Sequence, residues 1–235
     1  MTEKRTLLSW SSGKDSAFAL YLLRKMPEIE VVGLFTTVNS THRRVAMHAV
    51  REDLLQLQAR AVGLPLEILH IPENCSNKDY EKVMAEFVSE SIDRGIEVMA
   101  FGDLHLEGVR RYREEKLRET GIAPLFPLWG RKTDQLATEM IKKGFRMIIT
   151  CIDPRLFPKR FIGCELDEAF LKNLPVNADP CGENGEYHTF VYDGPIFSEP
   201  LDVKLGEIVD RDGFVFADVI SEEKERATNL QVLHK

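Results

Sequence analysis

The chain has 235 residues, is 43% hydrophobic and 29% charged, and carries a formal net charge of −7. Those values suit a soluble chain of one large or two modest domains with a sizeable core, and the acidic balance argues against broad binding to nucleic acid or anionic membranes. No apolar run approaches the length of a membrane span, the stretch after Met1–Arg5 is too short for a signal peptide, and the four cysteines form no CxxC pair that would suggest structural zinc, so reduced thiols in the cytoplasm are expected.

The chain opens with Leu7-Leu8-Ser9-Trp10-Ser11-Ser12-Gly13-Lys14-Asp15-Ser16, an apolar run that meets a turn of small residues and then the apolar stretch 17–23. The pattern predicts strand, loop and helix, with Ser16 capping the helix and Pro27 stopping it after Met26. Such a loop offers backbone N–H groups and a helix N-terminus to an anion; a plain turn with an N-cap has the same local pattern. It is not a Walker A sequence, because Leu8 stands where that motif has its first Gly and Asp15 follows Lys14 in place of Ser or Thr.

Residues 31–37 are β-branched and read as a buried strand, and 38–44 as a polar loop. Residues 46–62 read as a helix, with Val50, Leu54, Leu57 and Ala61 at helical spacing and Gly63 at its end. Residues 66–71 alternate as a strand, 80–92 carry a helical stripe stopped by Gly95, and 98–101 form a fourth strand ending on Gly102-Asp103. The first hundred residues thus read β-α-β-α-β-α-β, an α/β, Rossmann-like parallel sheet with right-handed crossovers. Ligands of such sheets lie beyond the carboxyl ends of the strands, which predicts Ser11–Ser16, residues 35–38 and Gly102-Asp103 on one rim. Asp103 suits a metal or substrate there, or a helix N-cap.

Residues 107–120 read as a charged helix on which Arg110 and Arg113, three apart, share a face; that face either holds acidic ligand groups or is solvated. The Pro-punctuated stretch 124–130 is the expected boundary between a nucleotide-binding domain, 1–125, and a smaller α+β domain, 126–235. In the latter, 133–143 is a helix, 146–152 a strand and 166–174 a short helix. Strands at 203–209 and 214–220 are joined through the hairpin signal Asp212-Gly213, and the polar residues 221–235 read as a surface helix or frayed tail. Between them, the block from Asp179 to Thr189 gathers Glu183, Asn184, Gly185, Glu186 and His188 just before an apolar strand. Turns collect Gly and Asn; two glutamates and a histidine in the same turn mark a second functional constellation, with a satisfied hairpin loop as the alternative.

The loop Ser11–Ser16, Gly102-Asp103, Arg110 to Arg113, Pro127-Leu128-Trp129 and the run Gly182-Glu183-Asn184-Gly185-Glu186-Tyr187-His188-Thr189 together resemble the diphthine–ammonia ligase family. These are PP-loop ATP pyrophosphatases with an adenine nucleotide α-hydrolase-like (HUP) fold. The resemblance covers most of residues 6–200, with Ser12 where the SGGxDS loop usually has its first Gly, and it is to the short form that lacks the extra C-terminal domains of longer eukaryotic members. It implies an ATP-dependent amide ligase that adenylates a carboxylate, transfers ammonia to it and releases AMP and pyrophosphate, with diphthine on elongation factor 2, or a related acceptor, as substrate.

As the resemblance implies, Ser11, Ser12, Gly13, Lys14, Asp15 and Ser16 would hold the phosphates of ATP, with Asp15 on Mg²⁺. Phe35, Thr36 and Thr37 would meet the adenine, and Gly102 and Asp103 would flank the nucleotide. Arg110, Arg113, Asn184 and Gly185 would face the substrate. Lys14, Asp15, Glu183, Glu186 and His188 would be catalytic. Lys14 would offset charge on the leaving pyrophosphate; the glutamates would steer ammonium or hold a trimethylammonium group; His188 would orient one of them. A homodimer is compatible with this reading. The alternatives are a PP-loop ATPase acting on another small molecule or on tRNA, or a non-catalytic nucleotide-binding sensor. The absent catalytic cysteine pair argues against tRNA thiolation, and a sensor would not need the block at 183–188.

Overall fold

The computed structural model describes residues 2–41, 44, 45, 50–73 and 75–222. Two sheets share one apolar core. The first contains the parallel strands β1 (Lys4–Ser9), β2 (Ile29–Asn39), β4 (Leu66–Ile71), β5 (Val98–Ala100) and β6 (Ala123–Leu125), in the order β4-β2-β1-β5-β6. The two-residue β3 (Arg44–Val45) pairs antiparallel with the end of β2. Helices α1 (Lys14–Leu23), α2 (Glu52–Val62) and α3 (Asn77–Asp93) make the crossovers, and α4 (Glu107–Leu117) follows β5. The strand order reverses direction at β1 and β5, so the crevice of this sheet opens beyond the ends of those two strands.

The second sheet is antiparallel, in the order β8-β7-β10-β9, from β7 (Arg146–Ile152), β8 (Tyr187–Asp193), β9 (Val203–Arg211) and β10 (Phe214–Ser221). Helices α5 (Thr133–Lys142) and α6 (Glu168–Lys172) accompany it. The predicted hairpin turn is present, with Asp212 and Gly213 both at positive φ (52° and 82°), as a tight turn of this twist requires. Core residues Leu8, Phe18 and Leu34 of the first half belong to the same cluster as Ile149, Phe190 and Val215 of the second. Helix α1 is buried around most of its surface, including Lys14, Ser16, Phe18 and Leu20. That is why its sequence from Ala17 onward is apolar and not striped. Its N-terminus therefore emerges where the two sheets meet.

Several boundaries differ from the expectations. Gly13, not Ser16, is the N-cap of α1, and the helix ends at Leu23, before Pro27. The stretch at 124–130 begins with the parallel strand β6; a three-residue edge strand tolerates Pro124, which in sequence reads only as a breaker. Helix α2 starts at Glu52, and residues 46–49 and the tail from 223 onward lie outside the described residues. No helix among the described residues is long and apolar enough to cross a membrane.

Candidate active site

Beyond β1 the chain turns sharply. Trp10 N–H donates to the Phe35 carbonyl (2.8 Å), its indole is buried, and Ser12 takes a left-handed conformation (φ 71°). This is the position where a glycine would adopt the same angle without strain. The hydroxyls of the loop bind one another and its backbone. Ser16 Oγ donates to Gly13 O (3.0 Å) and lies 3.2 Å from Ser11 Oγ, while Ser11 Oγ accepts from Gly13 N–H (3.3 Å). The end of β5 presses on this turn. A Cβ on Gly102 would lie 3.0 Å from the Asp15 carbonyl carbon and 3.1 Å from Ser16 N, so any larger residue would require this backbone to give by a few tenths of an ångström.

The second constellation docks directly on the first. Val191 N–H donates to Ser12 O (3.0 Å), and Lys14 N–H donates to Thr189 Oγ1 (3.1 Å). One cleft of about 470 Å³ is lined from both sides: Ser11, Lys14, Asp15 and Ser16 from the loop, Gly102, Asp103 and Arg113 from β5 and α4, and Cys181, Glu183, Gly185, His188 and Thr189 from the C-terminal block. A separate groove of about 360 Å³ between α3 and α4 is walled mainly by apolar side chains such as Met84, Val88 and Leu117. It contains none of the loop residues and does not suit a phosphate.

Lys14 is buried and its Nζ lies 2.7 Å from Asp15 Oδ2. Burial works against the ammonium, but Asp15, with Cys181 and Glu183 further off, holds the Lys14 pKa above its ordinary value. Lys14 is therefore a fixed cation at the mouth of the helix. The other oxygen of Asp15, Oδ1, is buried without a hydrogen-bond partner among the described residues. Glu183 has its pKa pushed up to about 7, first by burial and then by Asp15, against the pull of Lys14 and with smaller pushes from Asp179 and Asp103. Three carboxylates, Asp15, Asp103 and Glu183, thus border one cleft.

Asp103 is not a helix cap: the residue before α4 is Leu106, with no side-chain cap, and Asp103 instead accepts from Arg113 Nε (2.6 Å). Arg113 lines the cleft, whereas Arg110 turns away, pairing with Glu114 (2.7 Å) and lying over the rings of Phe126 and Trp129. Three residues along a helix leave two side chains about 60° apart, enough here for Arg113 and not Arg110 to line the cleft.

Glu186 is likewise not brought to the cleft. It is buried, Oε1 accepts from Asp179 N–H (2.8 Å) and Asn184 Nδ2 (3.1 Å), and Oε2 accepts from Asn184 N–H (2.9 Å). Asp179 helps from the other end, accepting from Cys181 N–H (2.8 Å) and Thr133 Oγ1 (2.6 Å). These two carboxylates hold the turn in shape, leaving Asn184 exposed outside the cleft lining. Nor do Phe35, Thr36 and Thr37 reach the cleft. Phe35 packs its ring against Phe87 (4.9 Å), and the strand there is paired with β1 and β4 on its two sides. Cys181 does line the cleft, but burial raises its thiol to about 12, so it stays protonated.

Two site residues escape a reading of the sequence. Thr189 sits in the conspicuous block yet looks like an ordinary β-residue. Gln58, fully buried, binds Trp10 and Ser12 from α2; the only sign of it is an amide on the stripe that carries Leu54 and Leu55.

Residues 4–124 match the family model described as the diphthamide synthase N-terminal domain, and residues 132–222 match the diphthamide synthase C-terminal domain. The chain is 28% identical over 239 residues to a Homo sapiens protein named diphthine–ammonia ligase, a match spanning 89% of this chain and 86% of the relative. It is 29% identical over 240 residues to the Danio rerio protein of the same name, spanning 89% and 90%. A Schizosaccharomyces pombe protein of that name matches at 28% over 220 residues, which is 85% of this chain but 36% of the longer relative.

Proposed function

The chain belongs to the diphthamide synthase family, and on that premise we propose that it is an ATP-dependent carboxylate–ammonia ligase acting on diphthine of elongation factor 2. The observation that carries this reading is the joint lining of one cleft by Ser11, Lys14, Asp15 and Ser16 of the first loop and by Cys181, Glu183, His188 and Thr189 of the second block, stitched by the Lys14–Thr189 and Ser12–Val191 bonds. A ligase must hold a nucleotide and an acceptor together and keep water from the activated acyl group; a sensor needs only the first.

In this reading the phosphates of ATP lie over the N-terminus of α1, where helix dipole and backbone N–H groups favour negative charge. The acceptor carboxylate oxygen attacks the α-phosphorus and the bond to pyrophosphate breaks. Lys14, already charged and fixed, stabilises the charge that develops on that leaving group. Ammonia then attacks the acyl carbon, AMP leaves, and an amide remains. Glu183 is the group placed to take the proton that ammonium must lose, since its pKa of about 7 lets it accept a proton near neutrality. Arg113, held by Asp103, faces the same space and suits the acidic groups of nucleotide or acceptor. Asp179 and Glu186 act by holding the turn that carries Glu183.

The residues fit Mg²⁺. Asp15 Oδ1 is a buried oxygen that lacks a hydrogen-bond partner among the described residues, with Asp103 and Glu183 on the same cleft. Among the described residues no three metal-ligating side chains come close enough to hold an ion by themselves, as suits an ion that takes one or two carboxylates and completes its shell with phosphate and water. When bound, Mg²⁺ would neutralise phosphate oxygens; Asp15 would hold it.

The deciding experiment supplies Mg-ATP, ammonium and elongation factor 2 carrying diphthine, and measures AMP, pyrophosphate and the amide. Stoichiometric formation of all three is expected. Nucleotide binding with no pyrophosphate in the presence of any acceptor would leave only a sensor.

A further inference from the structure

We infer that Gln58, on α2 and outside both loops, is a positioning residue that sets which way the Ser12–Gly13 peptide faces, and thereby whether the loop can accept a phosphate. This rests on the reading of Ser11–Ser16 as the phosphate loop.

Gln58 is completely buried and its amide is fully engaged. Oε1 accepts from Trp10 Nε1–H (2.8 Å), and Nε2 donates to Ser12 O (3.0 Å) and Val191 O (2.6 Å). Ser12 O thus has two donors, Gln58 Nε2 and Val191 N, neither of them from a residue that lines the cleft. In a trans peptide the next N–H points opposite to the carbonyl. Gly13 N–H accordingly turns toward Ser11 Oγ, a cleft residue. Ser12 sits at a φ of 71°, which an L-residue leaves readily unless its surroundings hold it. Rotation of this one peptide would aim a carbonyl oxygen at the place meant for a phosphate oxygen. Only a side-chain amide can do what Gln58 does, accepting from an indole and donating twice; an ionised carboxylate donates nothing and an aliphatic chain neither accepts nor donates.

The test is Mg-ATP affinity by titration calorimetry, with melting temperature alongside, for the wild type, Lys14→Ala, Gln58→Met, Gln58→Glu and the pair Gln58→Met with Ser12→Gly. Gln58→Met is expected to weaken ATP binding roughly ten- to a hundredfold, the range for a buried acceptor that loses a donor. Ser12→Gly should restore at least part of that loss, because glycine reaches the left-handed region unaided. Gln58→Glu, normalised to the wild type at each pH, should bind more tightly at pH 5 than at pH 8, because the neutral acid recovers one donor. Should Gln58→Met fold poorly, the pH comparison on Gln58→Glu decides alone. Unchanged affinity in Gln58→Met, a loss that Ser12→Gly does not relieve, or a flat pH ratio for Gln58→Glu would overturn the inference. If Lys14→Ala binds ATP as the wild type does, the phosphate-loop reading falls first and takes this inference with it.

Discussion

The two turns that meet at the cleft both concentrate small and acidic residues, yet they use their side chains in opposite directions. In Ser11–Ser16 the backbone is held from outside, by Gln58, Val191 and Thr189, and the charged side chains Lys14 and Asp15 face the cleft. In the block from Asp179 to Thr189 two carboxylates, Asp179 and Glu186, turn inward to hold the backbone, while Glu183 and His188 line the cleft with Cys181 and Tyr187. Burial explains the division. The loop beside α1 takes partners from α2 and β8 in addition to its own hydroxyls, whereas the part-buried N–H groups of the second turn are met mainly by its own carboxylates. Function is thus spread over adjacent side chains in the first turn and concentrated on alternate ones in the second.

The first turn should be the more sensitive to loss of charge. Lys14→Met is expected to lower pyrophosphate release by about 10² to 10³, the usual consequence of removing one preorganised group from developing charge, with folding retained. Asp15→Ala should do the same through loss of metal support. Wild-type turnover in either variant would remove that residue from the chemistry. Gly102→Ala attacks the same turn through its backbone. Its new Cβ would press to 3.0 Å on the Asp15 carbonyl carbon, which cannot swing aside as a side-chain tip would. A shift of a few tenths of an ångström in the start of α1 is expected to weaken ATP binding roughly tenfold or more, measured by the same calorimetry.

For the second turn the contrast lies between two glutamates three residues apart. Glu186→Gln puts an NH₂ group among three N–H donors and should cost about 2–3 kcal/mol of stability, read as a lower melting temperature, with activity falling along with it. Glu183→Gln should melt above the wild type at neutral pH, because the neutral amide avoids the cost of burying the charge, and should still reduce amide formation, because the turn does not depend on its carboxylate. The pH profile separates them further. Activity that needs ionised Glu183 rises through pH 7, and that limb should vanish in Glu183→Gln. Linkage runs the other way. The folded chain holds this proton up to about pH 7 while the unfolded chain releases it near 4.5, so Glu183 makes stability fall as pH climbs across that window. In Glu183→Gln that slope should be gone. Equal melting losses in both variants would erase the distinction between the outward and the inward carboxylate.

How much of this is legible in the residues follows from which signals are periodic. The strand and helix stripes from Leu7 to Phe101 predict the parallel sheet, and the sheet rule predicts that Ser11–Ser16 and Gly102-Asp103 meet, as they do. What is hidden depends on phase and partner. Arg110 and Arg113 look equivalent until the helix is rotated into place. Glu186 has the composition of an exposed turn residue and is buried by donors that the same turn provides. Phe35 looks like a rim aromatic, but β2 runs past the end of β1 and leaves it in the core. Gln58 gives no local signal beyond an amide on an apolar stripe.

The smallest expected effect bears on the first turn alone. Ser12 combines a left-handed backbone with a buried hydroxyl that has no hydrogen-bond partner among the described residues. Glycine at this position removes both costs. The strain of an L-residue there is about 1 kcal/mol or more, and an orphaned buried hydroxyl adds to it, while the larger entropy of glycine in the unfolded chain takes back part of the gain. Ser12→Gly should therefore stabilise the fold by about 1 kcal/mol, raising melting by roughly 2–4 °C for a chain of this size, with ATP affinity unchanged or better. A drop in affinity together with the gain in melting temperature would mean that the hydroxyl acts on the nucleotide. In that case Ser12 would act through its side chain as well as its backbone, as Glu183 acts through its side chain in the opposite turn.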